Sequence, residues 1–222
     1  QCMDSSHVSL VSVQLSADAF EHYRCDRPQS LGCNTSNLSK ILKCAGNEDV
    51  ITIKAEDEAD TMTLMFESKD QDRIADFELK LMDIDNEQLG IPDTPYKCQV
   101  QMPAAEFQRI IRDLQVLGDT CTLSCTKEGL RFSVSGDLGT GNVLVRQNGT
   151  AEKESERVLI DMDEPVELNF ALRYLNFFCK ATCLSDVVVL CMSPDVPVCV
   201  EYPIGEVGHI KYYLAPKIDE DN

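Results

Sequence analysis

The stretch NFALRYLNFFCKATCLSDVVVLCMSPDVPVCVEY, residues 169–202, holds the plan on which the rest of the chain is built. Ala171, Tyr174, Leu175 and Phe178 recur at i, i+3, i+4 and i+7, a spacing that gathers apolar side chains on one face of a helix. A polar break follows, and then the β-branched run Val187–Met192 reads as a strand. The Ser193-Pro194-Asp195 turn reverses the chain, and residues 198–202 return as a second strand.

The same plan occurs twice upstream, in residues 103–136 and 35–67. The helical stripes there are Phe107, Ile110, Ile111, Leu114 and Leu38, Ile41, Leu42, Ala45. Strands are expected at 120–125 and 130–134, and at 50–53 and 62–66, each pair joined by a turn rich in acids or Gly. A further strand trails each repeat, at 73–80, 141–146 and 209–214, and one more is expected near 7–15. The helices are expected over 35–46, 103–118 and 169–181. Many strands with short helices predict an α+β protein with antiparallel sheets.

Residues 81–97, LMDIDNEQLGIPDTPYK, carry acids, a Gly and two Pro without periodicity. They read as a connector between a first domain at 1–80 and a second at 98–222. Leu89 and Ile91 flank Gly90 with no apolar partner inside the connector, which suggests that something docks there.

Thirty-eight acids against 20 bases leave a formal charge of −18, which argues against indiscriminate binding to polyanions. The few bases are not scattered, however. Two residues past the first apolar position of each helix stand Lys40, Arg109 and Arg173; three further on stand Lys43, Arg112 and Asn176, with Lys180 one turn beyond. On one helix this is an ordinary solvated face. Repeated in the same register on three, where the helices carry net +4 and the remainder −22, it points to a surface that meets phosphates without reading sequence.

Other classes find less support. The absence of Trp and 6% aromatic content disfavour a base-stacking surface for single strands. The longest apolar run, six residues, is far short of the ~20 of a membrane helix. Eleven cysteines, an odd number with no C-x-x-C, indicate reduced thiols, mostly among apolar neighbours such as Cys121, Cys125, Cys191 and Cys199. G-x-S-x-G, Walker A and H-E-x-x-H motifs are missing, and the Asp83-Ile-Asp85 start of a calcium loop is not completed. No catalytic residue, metal site or cofactor is expected.

MDSSHVSLV at 3–11, SKILKCAGNED at 39–49, LMDID-x-EQLGIP at 81–92, FALRYLNFF at 170–178 and GH-x-KYYLAPKI at 208–218 resemble the eukaryotic family of DNA sliding clamps typified by proliferating cell nuclear antigen. The resemblance implies a non-enzymatic, nuclear homotrimer, a ring that encircles duplex DNA with its helices lining the hole. It implies a polymerase processivity factor that docks replication and repair proteins. Its partners would be DNA polymerase delta, flap endonuclease, DNA ligase, the clamp loader and others carrying a short motif of Gln, an aliphatic residue and two aromatics. Lys40, Lys43, Arg109, Arg112, Arg173 and Lys180 would face DNA. Met3, His7, Val8, Leu10, Gln88, Leu89, Ile91, Tyr96, Pro197, Tyr213, Ala215 and Pro216 would form the docking groove.

Subunit contact would pair the strand at 72–80 with 138–146 of the next subunit, using Arg73, Phe77, Leu138, Gly141 and Val143. Lys127, at a turn tip, would be the lysine conjugated to ubiquitin or its relatives. Asp219, Glu220 and Asp221 would continue an acidic tail. The family subunit has four repeats and three are found, so the first domain is expected to lack its N-terminal unit. The alternatives are a subunit of a heterotrimeric checkpoint clamp and a peptide-binding module that forms no ring.

Overall fold

The computed structural model describes residues 1–84, 95–194 and 196–217. In chain order the elements are β1 (Cys2–Met3), β2 (Ser9–Leu15), α1 (Thr35–Leu42), β3 (Val50–Ala55), β4 (Thr61–Glu67), β5 (Ile74–Lys80) and β6 (Cys98–Pro103). They continue with α2 (Ala104–Leu114), β7 (Thr120–Thr126), β8 (Gly129–Gly136), β9 (Gly139–Val145), β10 (Leu159–Met162), β11 (Val166–Ala171), α3 (Leu172–Phe178), β12 (Val187–Met192), β13 (Val198–Ile204) and β14 (Gly208–Leu214). The repeats are therefore α1-β3-β4-β5, α2-β7-β8-β9 and α3-β12-β13-β14.

Two expectations about single elements need correction, and contacts group the chain otherwise than at the expected connector. The helices are shorter than their apolar stripes suggest: α1 stops at Leu42 rather than 46 and α2 at Leu114 rather than 118. The third becomes a 3-10 helix over Cys179–Leu184, and Ala171 is its N-cap, so that Leu172 takes the first core position. Strands β6, β10 and β11 were not anticipated. Finally, Gln1–Tyr23 does not group with the residues that follow it. It joins the described part of 91–222, and the described part of 24–90 forms a second compact unit. The cause is register: β2 pairs antiparallel with β14 from Ser9↔Leu214 to Leu15↔Gly208.

In the larger unit, a seven-stranded sheet runs β1-β2-β14-β13-β12-β6-β10 and a four-stranded sheet runs β11-β7-β8-β9. The strand that precedes α2, β6, pairs with β12, which follows α3; the strand that precedes α3, β11, pairs with β7, which follows α2. The main core lies between these sheets and the helices. It takes Phe107, Ile111 and Leu114 from α2, Leu172, Leu175 and Phe178 from α3, Leu123 and Phe132 from the smaller sheet, and Val100, Leu190 and Val200 from the larger. Alternation of buried and exposed residues along β6 and β7 follows the two-residue period of a strand.

In the smaller unit, α1 packs with β3-β4-β5 around Met62, Leu64, Phe66 and Leu79, with Leu38, Ile41, Ala45 and Phe77 at the margin. Asn34 caps α1, its side-chain oxygen accepting from the Asn37 amide at 3.0 Å. Ile51 and Ile53 of β3 are the register partners of Phe66 and Leu64 and share their face, yet they are 44% and 55% exposed. Their counterparts on β7, Cys121 and Leu123, are fully buried. The outer edge of β3 pairs with no other strand among the described residues, whereas the same edge of β7 takes β11.

Candidate nucleic-acid interface and docking face

The helical bases stand where the apolar stripe leaves them. Lys40, Lys43, Arg109, Arg112, Arg173 and Lys180 are all exposed. On α2, Asp113 bridges Arg109 at 3.7 Å and Arg112 at 3.0 Å. All three side chains are more than half exposed, so these pairs hold the guanidinium groups weakly and leave them open to exchange with a phosphate. On α3 the Arg173 guanidinium lies 5.0 Å from the Tyr174 ring centroid, and the Lys180 ammonium lies 5.5 Å from that of exposed Phe177. Gln108 of α2 donates to the Cys179 carbonyl at 3.2 Å, so the bases of these two helices sit on adjacent elements. Lys40 and Lys43 belong to the other unit.

The expected docking residues divide into those on one sheet face and those outside the described residues. A single register row crosses the seven-stranded sheet through Met3, Leu10, Tyr213, Cys199, Cys191, Gln99 and Asp161. The adjacent row, Val11, Tyr212, Val200, Leu190, Val100 and Ile160, points the other way, into or against the main core. Leu10, Cys191 and Cys199 are buried without belonging to that core. They form the floor of an apolar patch on the sheet's outer face.

Tyr96 and Tyr213 belong to this patch. Burial, together with the neighbouring Cys199 sulfur, raises the ionisation of both phenols well above the ordinary value. The Tyr96 hydroxyl donates to the Pro197 carbonyl at 3.5 Å, and the Val8 carbonyl accepts from the Ala215 amide at 2.9 Å, with half-buried Pro216 following. Val8, His7 and Pro197 are exposed at its margin. Gln88, Leu89 and Ile91, like the acidic tail at 219–221, lie outside the described residues.

One determinant was not anticipated. Asp4 accepts from the amides of Ser6 (3.3 Å), Val8 and Ser9 (both 2.9 Å) and from the Tyr174 hydroxyl (2.8 Å). Desolvation, the largest single influence, opposes ionisation, but the donors together outweigh it and hold the carboxyl well below the usual range. The turn that carries His7, at φ 58°, is thereby fixed to α3. A sequence signal existed, since Asp followed by Ser-Ser favours such a side-chain-capped turn.

Among the described residues β5 is an edge strand of the three-stranded sheet and β9 an edge strand of the four-stranded one. Arg73 immediately precedes β5. Phe77 turns toward its own core, its ring 5.4 Å from that of Phe66. On the β8–β9 hairpin Leu138 is 77% exposed, Gly141 lies against Leu117 and Leu114, and Val143 packs on the main core. Lys127 and Glu128 form the tip of a two-residue hairpin closed by Thr126↔Gly129. Gly129 has φ +139°, and a Cβ there would meet the Val145 carbonyl oxygen at 2.2 Å, so the turn excludes other residues.

Among the described residues no cluster of His, Cys, Asp or Glu could hold a metal ion, and no helix is long and apolar enough to cross a membrane. The antiparallel sheets, the short helices with exposed bases and the repeated plan define the DNA clamp fold. Models of two domain families match the chain: the N-terminal domain of proliferating cell nuclear antigen over residues 1–88, and its C-terminal domain over 90–217. The chain belongs to the proliferating cell nuclear antigen family, whose members are DNA sliding clamps of replication and repair rather than enzymes. The first match begins at residue 1 and gives no support to an incomplete first domain. It also cuts the chain differently from the contacts in the structure, which place residues 1–23 with the second half.

Proposed function

We propose that this protein is a nuclear clamp that assembles as a homotrimeric ring, holds duplex DNA without regard to sequence, and serves as polymerase processivity factor and docking platform. The observation that carries the reading is the recurrence of exposed bases at one register on α1, α2 and α3 in a chain of net charge −18. Lys40, Lys43, Arg109, Arg112, Arg173 and Lys180 contact phosphates, and the cost of repelling the rest of the acidic surface keeps that contact loose enough to slide.

The patch of Met3, Val8, Leu10, Tyr96, Pro197, Tyr213, Ala215 and Pro216, with His7 and the connector residues Gln88, Leu89 and Ile91, receives the short Gln-aliphatic-aromatic-aromatic motif. Polymerase delta, flap endonuclease, ligase and the clamp loader are the partners in this reading. Arg73, just before β5, and Phe77 within it, with Leu138, just before β9, and Gly141 and Val143 within β9 of the next subunit, close the ring by edge pairing, and Lys127 is available for conjugation.

The test is topological. Loaded by a clamp loader onto nicked circular plasmid, the protein should remain bound through gel filtration and be released when the plasmid is linearised. Light scattering should give three times the 24.8 kDa chain mass. A monomer that dissociates equally from circular and linear DNA would exclude a ring.

A further inference from the structure

Cys191 of β12 and Cys199 of β13 face each other as register partners. Directly opposed residues of an antiparallel pair lie about 4.5–5.5 Å apart at Cα, within the ~4.4–6.8 Å that a disulfide spans. Both side chains leave the sheet on its outer face. No other two cysteines are opposed in any strand pair among the described residues. The two thiols bias each other's ionisation: Cys199 favours a thiolate at Cys191, whereas Cys191 and burial oppose one at Cys199. Lys211 and Glu201, 3.4 Å apart, stand two residues further along the same face; at Cys191 burial and Glu201 oppose the thiolate and Lys211 favours it, against the larger influence of Cys199. Cys191 is 8% exposed and Cys199 3%, so the first is the one a small oxidant reaches.

We propose that Cys191 and Cys199 are a peroxide-responsive dithiol, a modification site that closes as a cross-strand disulfide. The Cys191 thiolate attacks one oxygen of hydrogen peroxide; the O–O bond breaks, Cys191 becomes a sulfenic acid, and the departing hydroxide takes up a proton to leave as water. The Cys199 sulfur then attacks the Cys191 sulfur. The S–O bond breaks, the S–S bond forms, and hydroxide leaves with the Cys199 proton as a second water. The two electrons lost by the sulfurs reduce the peroxide. Strand pairing already holds the reactants together, so no loop must close. A thiol donor reverses the step. This chemistry is independent of the clamp reading; only the meaning of its position, in one register row with Leu10 and Tyr213 of the proposed docking face, rests on it.

The full chain, reduced and freed of reductant, is treated with hydrogen peroxide, alkylated under denaturing conditions and cleaved before aspartate without reduction. Cleavage before Asp186 and Asp195 puts Cys191 and Cys199 on separate peptides. The expected product is these two peptides joined, lighter by two hydrogens than their sum, and released by dithiothreitol. Chain unfolded in urea before treatment should lose this preference. In Cys199→Ser, dimedone should label Cys191, because the sulfenic acid has no thiol to resolve it. Recovery of both residues alkylated while other thiols oxidise, or linkage confined to Cys98 and Cys125, would overturn the proposal.

Discussion

The Tyr174 hydroxyl, on α3, donates at 2.8 Å to Asp4 Oδ2, 170 positions earlier in the chain. The same carboxylate organises the turn leading into β2, so this contact positions His7 and Val8 at the edge of the outer-face patch. Tyr174→Phe removes one donor to a charged acceptor and should lower stability by about 1 kcal/mol, as read by urea unfolding at neutral pH.

The pH dependence of Asp4 has a definite sign. Its carboxyl ionises more readily folded than unfolded, so the resulting stabilisation is complete above the unfolded value near 3.8 and is lost as pH falls below it. Asp4→Asn should therefore be less stable than the parent at pH 7, with the gap narrowing below pH 4. A gap that stayed constant between pH 7 and pH 3 would show that the carboxylate charge contributes nothing.

Val8 tests the docking face without disturbing the fold, because its side chain is exposed and its contact with Ala215 is through the backbone carbonyl. Val8→Asp should leave the melting temperature unchanged. It should weaken binding of a Gln-aliphatic-aromatic-aromatic peptide at least tenfold by calorimetry, since a buried charge opposes an apolar anchor. Undiminished affinity would move the docking site elsewhere.

The paired substitution Lys40→Glu with Arg112→Glu reverses two bases that point away from their helices' apolar stripes. Retention on circular DNA should fall for every sequence tested, recover partly as salt is lowered, and leave the oligomeric mass unaltered. Retention equal to that of the parent would reduce these bases to ordinary surface.

The smaller unit should be the more labile. Ile51 and Ile53 occupy the inner face of β3 yet remain half-exposed, forfeiting roughly half of the ~1.5–3 kcal/mol that full burial of each supplies. Hydrogen exchange should be faster over α1 and β3 than over β7 and β12. Ile53→Thr should shift stability by less than about 0.5 kcal/mol, whereas Leu123→Ala, at the equivalent buried place on β7, should lose about 2–5 kcal/mol. Equal protection of β3 and β7 would show that the exposed face is covered in solution.

Local pattern made some of this fold legible. The β-branched run of β12 and its return, β13, could be read directly, as could the basic register, because both depend on spacing within a few turns. Strand β6 was hidden by Pro103 and by its lack of a β-branched run, although Cys98, Val100 and Met102 alternate with Gln99 and Gln101. Strand β11 was absorbed into the helix that follows, since Phe170 and Ala171 continue that helix's apolar spacing backwards. Helix ends were placed too late because Gly46 and Gly118 look like terminators, whereas the helices give way to i→i−3 turns at Cys44, Ala45 and Leu117. The pairing of β2 with β14 was beyond reach: the partner of a strand is a long-range choice that neither sequence reveals alone. The floor of the docking patch was equally hidden, because whether Cys191 faces in or out depends on that register.

The crossed strands of the larger unit make its two repeats mutually dependent. Each lends β6 or β11 to the sheet of the other, as two subunits do when they exchange arms, but here the exchange is locked within one polypeptide. Neither repeat can therefore mature ahead of its sibling on a ribosome, and a cut between β9 and β10 would yield two fragments that fold only by finding each other. Loss of β6 would remove the strand between β12 and β10 in the larger sheet, and loss of β11 would strip an edge from the smaller one, so each half depends on a strand the other supplies.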